Sequence, residues 1–201
     1  MILSASDLKD VIENGEHPGP PADERYRQAC VFLLLSVTDD PYFLAIQKSD
    51  TEGYPWRGQM ALPGGHVDAE DPTVEDAVFR ELEEELNLPR ETVEMVGSMG
   101  HFQTINCRNI EAFVGLWNGD GVIDFDRGEI SRVFEIPLAA LLRVHYDSSF
   151  NGCIPDISEL VYPYRDVAIW GATARILHHF IELVAPRVAW AGAEAAPGIL
   201  N

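Results

Sequence analysis

The sequence predicts an α/β fold in which helices cover both faces of a β-sheet. Short apolar runs bounded by turn residues are typical of strands, and they are mixed with two long segments that have the apolar spacing of amphipathic helices. A sheet and amphipathic helices each have apolar surface to bury, so they stack in layers around a core. The chain has 201 residues and is 46% hydrophobic, which is sufficient for one domain with some additions.

The elements follow one another along the chain in this order. A short helix over residues 4–14 precedes a stretch, 17–21, whose composition is that of a linker. The strands are expected at 29–37, 42–47, 58–62, 93–99, 110–117 and 130–136, the first two forming a hairpin. Helices are expected at 74–86, with Thr73 as N-cap, at 137–142 and at 170–184. Residues 143–168 are either irregular or a hairpin, and no pattern decides between the two.

The composition limits the partners of the protein. The net charge is -19, with 14 Lys and Arg against 33 Asp and Glu, and such a surface repels nucleic-acid polymers and anionic membranes. Three cysteines without a CxxC spacing favour a reducing compartment over a disulfide scaffold or a zinc site. No signal peptide is evident, and the longest apolar run, 29–35, is too short to span a membrane. We therefore expect a cytoplasmic protein that binds a small molecule.

A glycine pair followed by an acidic helix is the most informative feature of the sequence. Glu81, Glu84 and Glu85 stand at positions i, i+3 and i+4, so their side chains converge on one side of the helix. Glu85 falls inside the apolar stripe of that helix, where a carboxylate is costly unless it is paired or binds a metal. Oxygen ligands suit Mg²⁺ or Mn²⁺. A solvated acidic face is the alternative, but it explains neither Glu85 nor the preceding Gly64-Gly65 pair.

This segment resembles the Nudix box, the signature of the Nudix hydrolases. Gly65 corresponds to the glycine of the box, and its second half is matched by Arg80-Glu81-Leu82-Glu83-Glu84-Glu85-Leu86-Asn87-Leu88, with Asn87 in place of glycine. Asp71 stands where the family has glutamate, and one extra residue separates it from Arg80. The resemblance implies an α/β/α sandwich with a mixed central sheet over residues 25–185. Residues 1–24 would then be an N-terminal helix and linker, and 186–201 a flexible tail.

The sequence on either side of the box resembles the coenzyme A pyrophosphatase branch of the family. The resemblance lies in Trp56-Arg57-Gly58-Gln59-Met60-Ala61-Leu62-Pro63-Gly64-Gly65 and in Ile169-Trp170-Gly171-Ala172-Thr173-Ala174-Arg175-Ile176-Leu177. It implies metal-dependent cleavage of the diphosphate of coenzyme A or an acyl derivative. Membership of the family would also allow a homodimer, since the family often forms them. Ile46-Gln47-Lys48-Ser49 departs from the branch pattern, so ADP-ribose, nucleotide sugars and dinucleotides stay open as substrates. A non-catalytic nucleotide-sensing module is a further alternative, although such modules typically lose the box acids.

The resemblance also implies the roles of individual residues. The expected metal ligands are Glu81, Glu84, Glu85 and the backbone carbonyl of Gly65. The catalytic candidates are Glu81, Glu84 and Glu129, the last of which could equally be an exposed loop acid. The candidate substrate contacts follow from charge and position instead. The net charge of -19 means that a phosphate substrate needs local basic residues, and the candidates, each of which could also be a simple surface charge, are Lys48, Arg57, Arg108, Arg165 and Arg175. His66, directly after the glycine pair, is either a substrate contact or a hydrogen-bonded loop histidine. Arg80 is expected to be structural and to pair with Asp71 or Glu70.

Overall fold

The computed structural model describes residues 4–36, 38–52 and 56–188. The helices are α1 (Ala5–Asn14), α2 (Val74–Leu86), α3 (Leu138–Asp147) and α4 (Gly171–Val184). The strands are β1 (Arg27–Ser36), β2 (Tyr42–Lys48), β3 (Met60–Ala61), β4 (Gly64–His66), β5 (Val93–Gln103), β6 (Arg108–Trp117), β7 (Ile130–Pro137), β8 (Tyr162–Tyr164) and β9 (Val167–Ile169). Across these described ranges, no helix has both the length and the hydrophobicity needed to cross a bilayer.

Strands β1 to β7 form one mixed sheet. Its main path runs β3-β2-β1-β6-β5, with β7 paired to β2 and β4 paired to β1. β1 and β6 are parallel, and the remaining pairs of this sheet are antiparallel. The predicted hairpin is confirmed, because Leu35 and Ser36 of β1 pair with Phe43 and Tyr42 of β2.

Two apolar clusters cover the two faces of the sheet. Phe32 and Leu34 of β1 pack with α2, whereas Leu33 and Leu35 point to the opposite face and pack with α1, α3 and α4. This alternation follows from the two-residue period of a strand, and the continuous apolar run of β1 reflects burial on both faces. The predicted α/β fold with helices on both faces of the sheet is therefore confirmed.

Helix α2 begins and ends where the sequence predicts. The Oγ1 of Thr73 accepts a 3.0 Å hydrogen bond from the backbone N–H of Asp76, which caps the first turn. Asn87 follows the last turn in the left-handed conformation (φ 55°, ψ 34°) and donates its N–H to the carbonyl of Glu83. A residue in this conformation ends a helix because the next amide no longer points along the axis.

Other elements differ from the prediction in their bounds. β3 is shorter than predicted because Gly58 has a φ of +66° and belongs to the preceding turn. α3 extends to Asp147 instead of ending at 142, since His145 is fully buried and hydrogen-bonds Tyr162 of β8. The hairpin of β8 and β9 agrees with one of the two alternatives for residues 143–168, although β9 ends one residue later, at Ile169. Residue 37 of the first predicted strand and residues 189–201 of the predicted tail lie outside the described residues.

The N-terminal segment packs on the main body of the protein. Ser4 caps α1 by accepting the N–H of Asp7, and Leu8, Val11 and Ile12 are buried in the core. Residues 17–21, the predicted linker, run beside β5, where the carbonyl of Pro18 accepts the N–H of His101 at 2.8 Å. α1 thus completes one face of the sheet, and the boundary at residue 25 stays a prediction.

Candidate active site

Strand β4 holds the glycine pair against both the sheet and helix α2. Gly64 has a φ of +139°, and a Cβ at this position would overlap the backbone of Cys30 and Val31 in β1. A Cβ at Gly65 would overlap the carboxylate of Glu81. Only glycine lets the backbone approach its neighbours this closely. The glycine pair therefore brings the backbone of the loop into contact with an acid of the helix.

Glu85 is buried, as its place in the apolar stripe predicts. Its side chain is 7% exposed, and both carboxylate oxygens have partners. Oε1 accepts a hydrogen bond from Nζ of Lys48 at 2.5 Å, and Oε2 accepts the backbone N–H of Gly64 at 2.8 Å. The charge of Lys48 balances that of Glu85, which makes burial of the acid tolerable.

Arg80 connects the glycine loop to the acids of the helix. Its guanidinium donates two hydrogen bonds to Asp71, of 3.0 and 2.9 Å, and one to the carbonyl of His66 at 3.0 Å. It also donates to Glu81 and Glu84, each at 3.0 Å. These hydrogen bonds from Arg80 lower the pKa of Asp71 to about 2. The structure thus brings Arg80 and Asp71 together and holds the loop on the helix.

The three acids differ in their exposure to solvent. Glu81 is 16% exposed, whereas Glu84 is 60% exposed. Burial raises the pKa of Glu81 above its ordinary value in spite of the hydrogen bond from Arg80. Among the described residues, Glu81, Glu84 and Glu85 do not form a group whose potential ligand atoms all lie within 4.8 Å of one another, so their joint role as metal ligands stays a prediction. The close approach at Gly65 places loop backbone beside the carboxylate of Glu81.

A cavity of about 840 Å³ opens beside the glycine loop. Lys48, Gly64, Gly65 and His66 are among its lining residues, whereas Glu81, Glu84 and Glu85 are not. Much of the remaining wall is apolar or aromatic and includes Tyr26, Val31, Trp56, Leu62, Ile105, Ile110, Ile157, Trp170 and Ile176. Sequence reasoning missed Tyr26, Ile105, Ile157 and Trp170 as wall residues. They lie outside the strands and helices or next to their ends, where no periodicity indicates which side chains meet.

The structure does not bring every candidate residue into this cavity. His66 lines the wall, and partial burial together with the charge of Arg108 lowers its pKa. Arg57 is an exposed partner of Asp50 and does not contribute to the wall. Glu129 is exposed in a turn outside the wall. The carbonyl of Glu129 accepts the N–H of Ser49 at 2.8 Å, so this turn adjoins the end of β2.

A mixed sheet between helices, with a glycine loop held against an acidic helix, is the arrangement expected of an α/β domain that carries a Nudix box. A family model of the NUDIX domain matches residues 25–154. The chain therefore belongs to the Nudix hydrolase family, whose members hydrolyse phosphoric anhydrides. Enzymes of this family generally use divalent metal ions such as Mg²⁺ or Mn²⁺.

Relatives and solved structures agree with this assignment. The chain is 29% identical over 185 residues to the uncharacterized Nudix hydrolase NudL of Photorhabdus laumondii, covering 88% of this chain and 97% of that protein. It is 32% identical over 154 residues to NudL of Escherichia coli, covering 76% and 80%. A MutT/nudix family protein from Enterococcus faecalis shares the fold with a TM-score of 0.55 and 18% identity, over 92% of this chain and 70% of that chain.

Proposed function

We propose that the protein is a metal-dependent pyrophosphohydrolase that cleaves the diphosphate of coenzyme A or of an acyl derivative. The observation that carries this proposal is the cavity of about 840 Å³ beside the glycine loop, with its largely apolar wall. Pockets for small ligands are typically about 300–1,000 Å³, so this one is large. The diphosphate would bind at the loop, and the pantetheine arm would lie along the apolar wall.

The basic residues of the cavity support a substrate with several phosphate groups. Because the net charge of the chain is -19, an anionic substrate needs positive charge close to its binding site. Lys48, Arg108 and Arg175 line the cavity. Arg175 is oriented by a 2.8 Å hydrogen bond to the carbonyl of Gln103. Arg108 is our candidate for the 3′-phosphate of coenzyme A, a group that ADP-ribose and nucleotide sugars lack.

The acids of α2 offer carboxylate oxygens, which are the ligands that Mg²⁺ and Mn²⁺ prefer. We assign Glu81, Glu84, Glu85 and the carbonyl of Gly65 as ligands of Mg²⁺ or Mn²⁺. The bound ion would supply positive charge to the phosphate oxygens and lower the pKa of a water molecule. Arg80, held by Asp71, orients Glu81 and Glu84 and fixes the loop that receives the diphosphate.

The base that accepts the proton of the attacking water is assigned to one of three acids. Glu81 and Glu84 are the candidates within the helix. Glu129 is the candidate from outside it, because its turn is tied to the residue that follows Lys48. Replacement of each acid by glutamine separates these roles. Loss of the base lowers kcat at saturating metal, whereas loss of a ligand also raises the metal concentration needed for activity.

A hydrolysis screen tests the proposed substrate. The panel contains coenzyme A, acetyl-coenzyme A, ADP-ribose, UDP-glucose, NADH and diadenosine polyphosphates, with Mg²⁺ and then Mn²⁺, and products are identified by mass. We expect selective release of 3′,5′-ADP from coenzyme A or its acetyl derivative, and no turnover by Glu85→Gln. Preference for ADP-ribose or a nucleotide sugar would support the proposed hydrolysis of a diphosphate and refute coenzyme A as the substrate. Nucleotide binding without turnover of any panel member would favour a sensing module.

A matched pair of arginine variants tests recognition of the 3′-phosphate. Removing one charge-assisted hydrogen bond costs about 1.5–3 kcal/mol, or roughly 10-fold to 100-fold in affinity. We expect Arg108→Ala to raise the KM for coenzyme A by that factor and to leave the KM for dephospho-coenzyme A unchanged. Arg57→Ala, which removes an arginine outside the cavity, is the control and should change neither constant. An equal effect of Arg108→Ala on both substrates would contradict the assignment.

A further inference from the structure

A second group of potential metal ligands lies on the face of the sheet opposite α2. His145 belongs to α3, and His178 and Glu182 belong to α4 at positions i and i+4, which share one side of the helix. One potential ligand atom from each of the three residues lies within 4.8 Å of the other two. The surrounding core contains Leu142, Phe150, Tyr162, Leu177 and Ile181, so the sheet separates the group from α2.

The hydrogen bond of His178 fixes which of its nitrogens can bind an ion. Nε2 of His178 lies 3.2 Å from the backbone carbonyl of Phe150. A carbonyl can only accept a hydrogen bond, so Nε2 carries the proton and Nδ1 of the neutral ring has the free lone pair. Histidines that bind metals usually donate their other N–H to a carbonyl or carboxylate, which orients the ring. His178 has this arrangement.

His145 and Glu182 are oriented in the same manner. Nδ1 of His145 lies 2.9 Å from the hydroxyl of Tyr162, and its Nε2 lies 2.7 Å from Oε1 of Glu182. The other oxygen of Glu182 accepts the backbone N–H of Gly152 at 2.9 Å. Each of the three side chains thus has one polar atom held by an outer partner, and one potential ligand atom of each lies within 4.8 Å of the other two.

We propose that His145, His178 and Glu182 bind a divalent transition-metal ion such as Zn²⁺. Two imidazole nitrogens and one carboxylate suit Zn²⁺ and related ions, whereas Mg²⁺ prefers a shell of oxygens. With the ion at Nε2, the proton of the neutral His145 ring lies on Nδ1, which donates a hydrogen bond to the hydroxyl oxygen of Tyr162. The ring therefore binds the ion without releasing a proton. The ion would tie α3 and the loop from Phe150 to Gly152 to α4, whose first turns line the cavity.

Metal titration of the full-length protein tests the proposal. The protein is stripped with a chelator and titrated with Zn²⁺ in the presence of excess Mg²⁺, which occupies oxygen-only sites. We expect one equivalent of Zn²⁺ to bind, with the same affinity in Glu85→Gln, which leaves all three proposed Zn²⁺ ligands in place. Glu182→Gln and His178→Gln should weaken binding by roughly 100-fold or more. Binding that Glu85→Gln abolishes and Glu182→Gln leaves intact would overturn the proposal.

A measurement on the unaltered protein covers the case in which these variants fail to fold. Zinc-edge X-ray absorption of the Zn²⁺-loaded wild type reports the number of imidazole ligands. We expect two, because the proposed site contains two histidines. A site at the glycine loop would supply at most one, since His66 is the one histidine among the described residues that lines the cavity there. A shell of oxygens alone, a single imidazole, or absence of Zn²⁺ binding in excess Mg²⁺ would overturn the assignment. The outcome is independent of substrate hydrolysis, so it stands apart from the function proposed above.

Discussion

Nζ of Lys48 lies 2.5 Å from Oε1 of Glu85, and the two side chains are only 14% and 7% exposed. This ion pair joins strand β2 to helix α2 beside the apolar layer between them. The same carboxylate accepts the N–H of Gly64, so it also connects the glycine loop. One acid of the helix is therefore both a structural connection and a proposed metal ligand.

Replacing Lys48 with methionine should reveal this dual role. Lys48→Met retains most of the apolar stem and leaves Glu85 as a buried charge without a cation, so we expect the metal-free protein to lose about 3 kcal/mol of its free energy of unfolding. If Mg²⁺ binds Glu85, it replaces the lost positive charge. Urea unfolding in chelator and in excess Mg²⁺ should therefore show a larger metal-induced gain for Lys48→Met than for the wild type.

Lys48→Arg is the matched control for this experiment because it keeps a positive charge beside Glu85. Its gain in stability on addition of Mg²⁺ should stay close to that of the wild type. Equal gains for Lys48→Met and the wild type would mean that the ion does not bind next to Glu85.

The sequence predicts the elements whose signals are local. The bounds of α2 follow from the cap at Thr73, the apolar stripe and a residue at 87 that tolerates a left-handed conformation. The extension of α3 depends instead on contacts of His145 with Tyr162 and Glu182, which lie 17 and 37 residues further along the chain. No periodicity within α3 encodes those partners, so its end could not be predicted.

In the candidate site, too, the residues with local sequence signals could be predicted and the long-range contacts could not. The spacing of the acids in α2 and the glycine pair are local patterns, and they identify Glu81, Glu84, Glu85 and Gly65 as candidates. Lys48 can be identified from the sequence as a candidate substrate contact because it is basic. Its contact with Glu85 spans 37 residues and depends on how the sheet packs against the helix, so it could not be predicted. The cavity wall combines residues from several loops and helix ends, and that combination exists only in the folded chain.

The two glycines of the loop should differ in what they contribute. In Gly65→Ala the new methyl group displaces the Glu81 carboxylate, which can move, so we expect nearly normal stability and a fall in kcat of about 100-fold. In Gly64→Ala the methyl group meets backbone atoms of β1 and the φ of +139° is strained, so we expect a loss of about 3 kcal/mol in stability. Thermal unfolding and hydrolysis assays on both variants measure these effects. Full activity of Gly65→Ala would argue against a role for Glu81.

Asn87 should tolerate glycine but not alanine. Its φ of 55° lies in the left-handed region, which costs a residue with a Cβ about 1–2 kcal/mol and is easier for asparagine. We expect Asn87→Ala to lower the free energy of unfolding by about 1 kcal/mol, and Asn87→Gly to leave it unchanged or slightly higher. Urea denaturation at neutral pH measures both values. A similar loss for alanine and glycine would show that the Asn87 side chain, rather than its backbone conformation, stabilises this helix end.

The ion pair of Asp71 and Arg80 should make stability depend on pH in the acidic range. The pKa of Asp71 is about 2 in the folded protein, below its ordinary value of 3.8, because Arg80 donates hydrogen bonds to the carboxylate. Between these values the unfolded chain binds more protons than the folded chain. The contribution of this ion pair to the free energy of unfolding is therefore fully present above about pH 4 and is lost as the pH falls towards 2.

Asp71→Asn lacks this titration and should be less stable at neutral pH. Its unfolding free energy should fall less steeply than that of the wild type between pH 4 and 2, and parallel curves would contradict the role of Arg80 in lowering the pKa of Asp71.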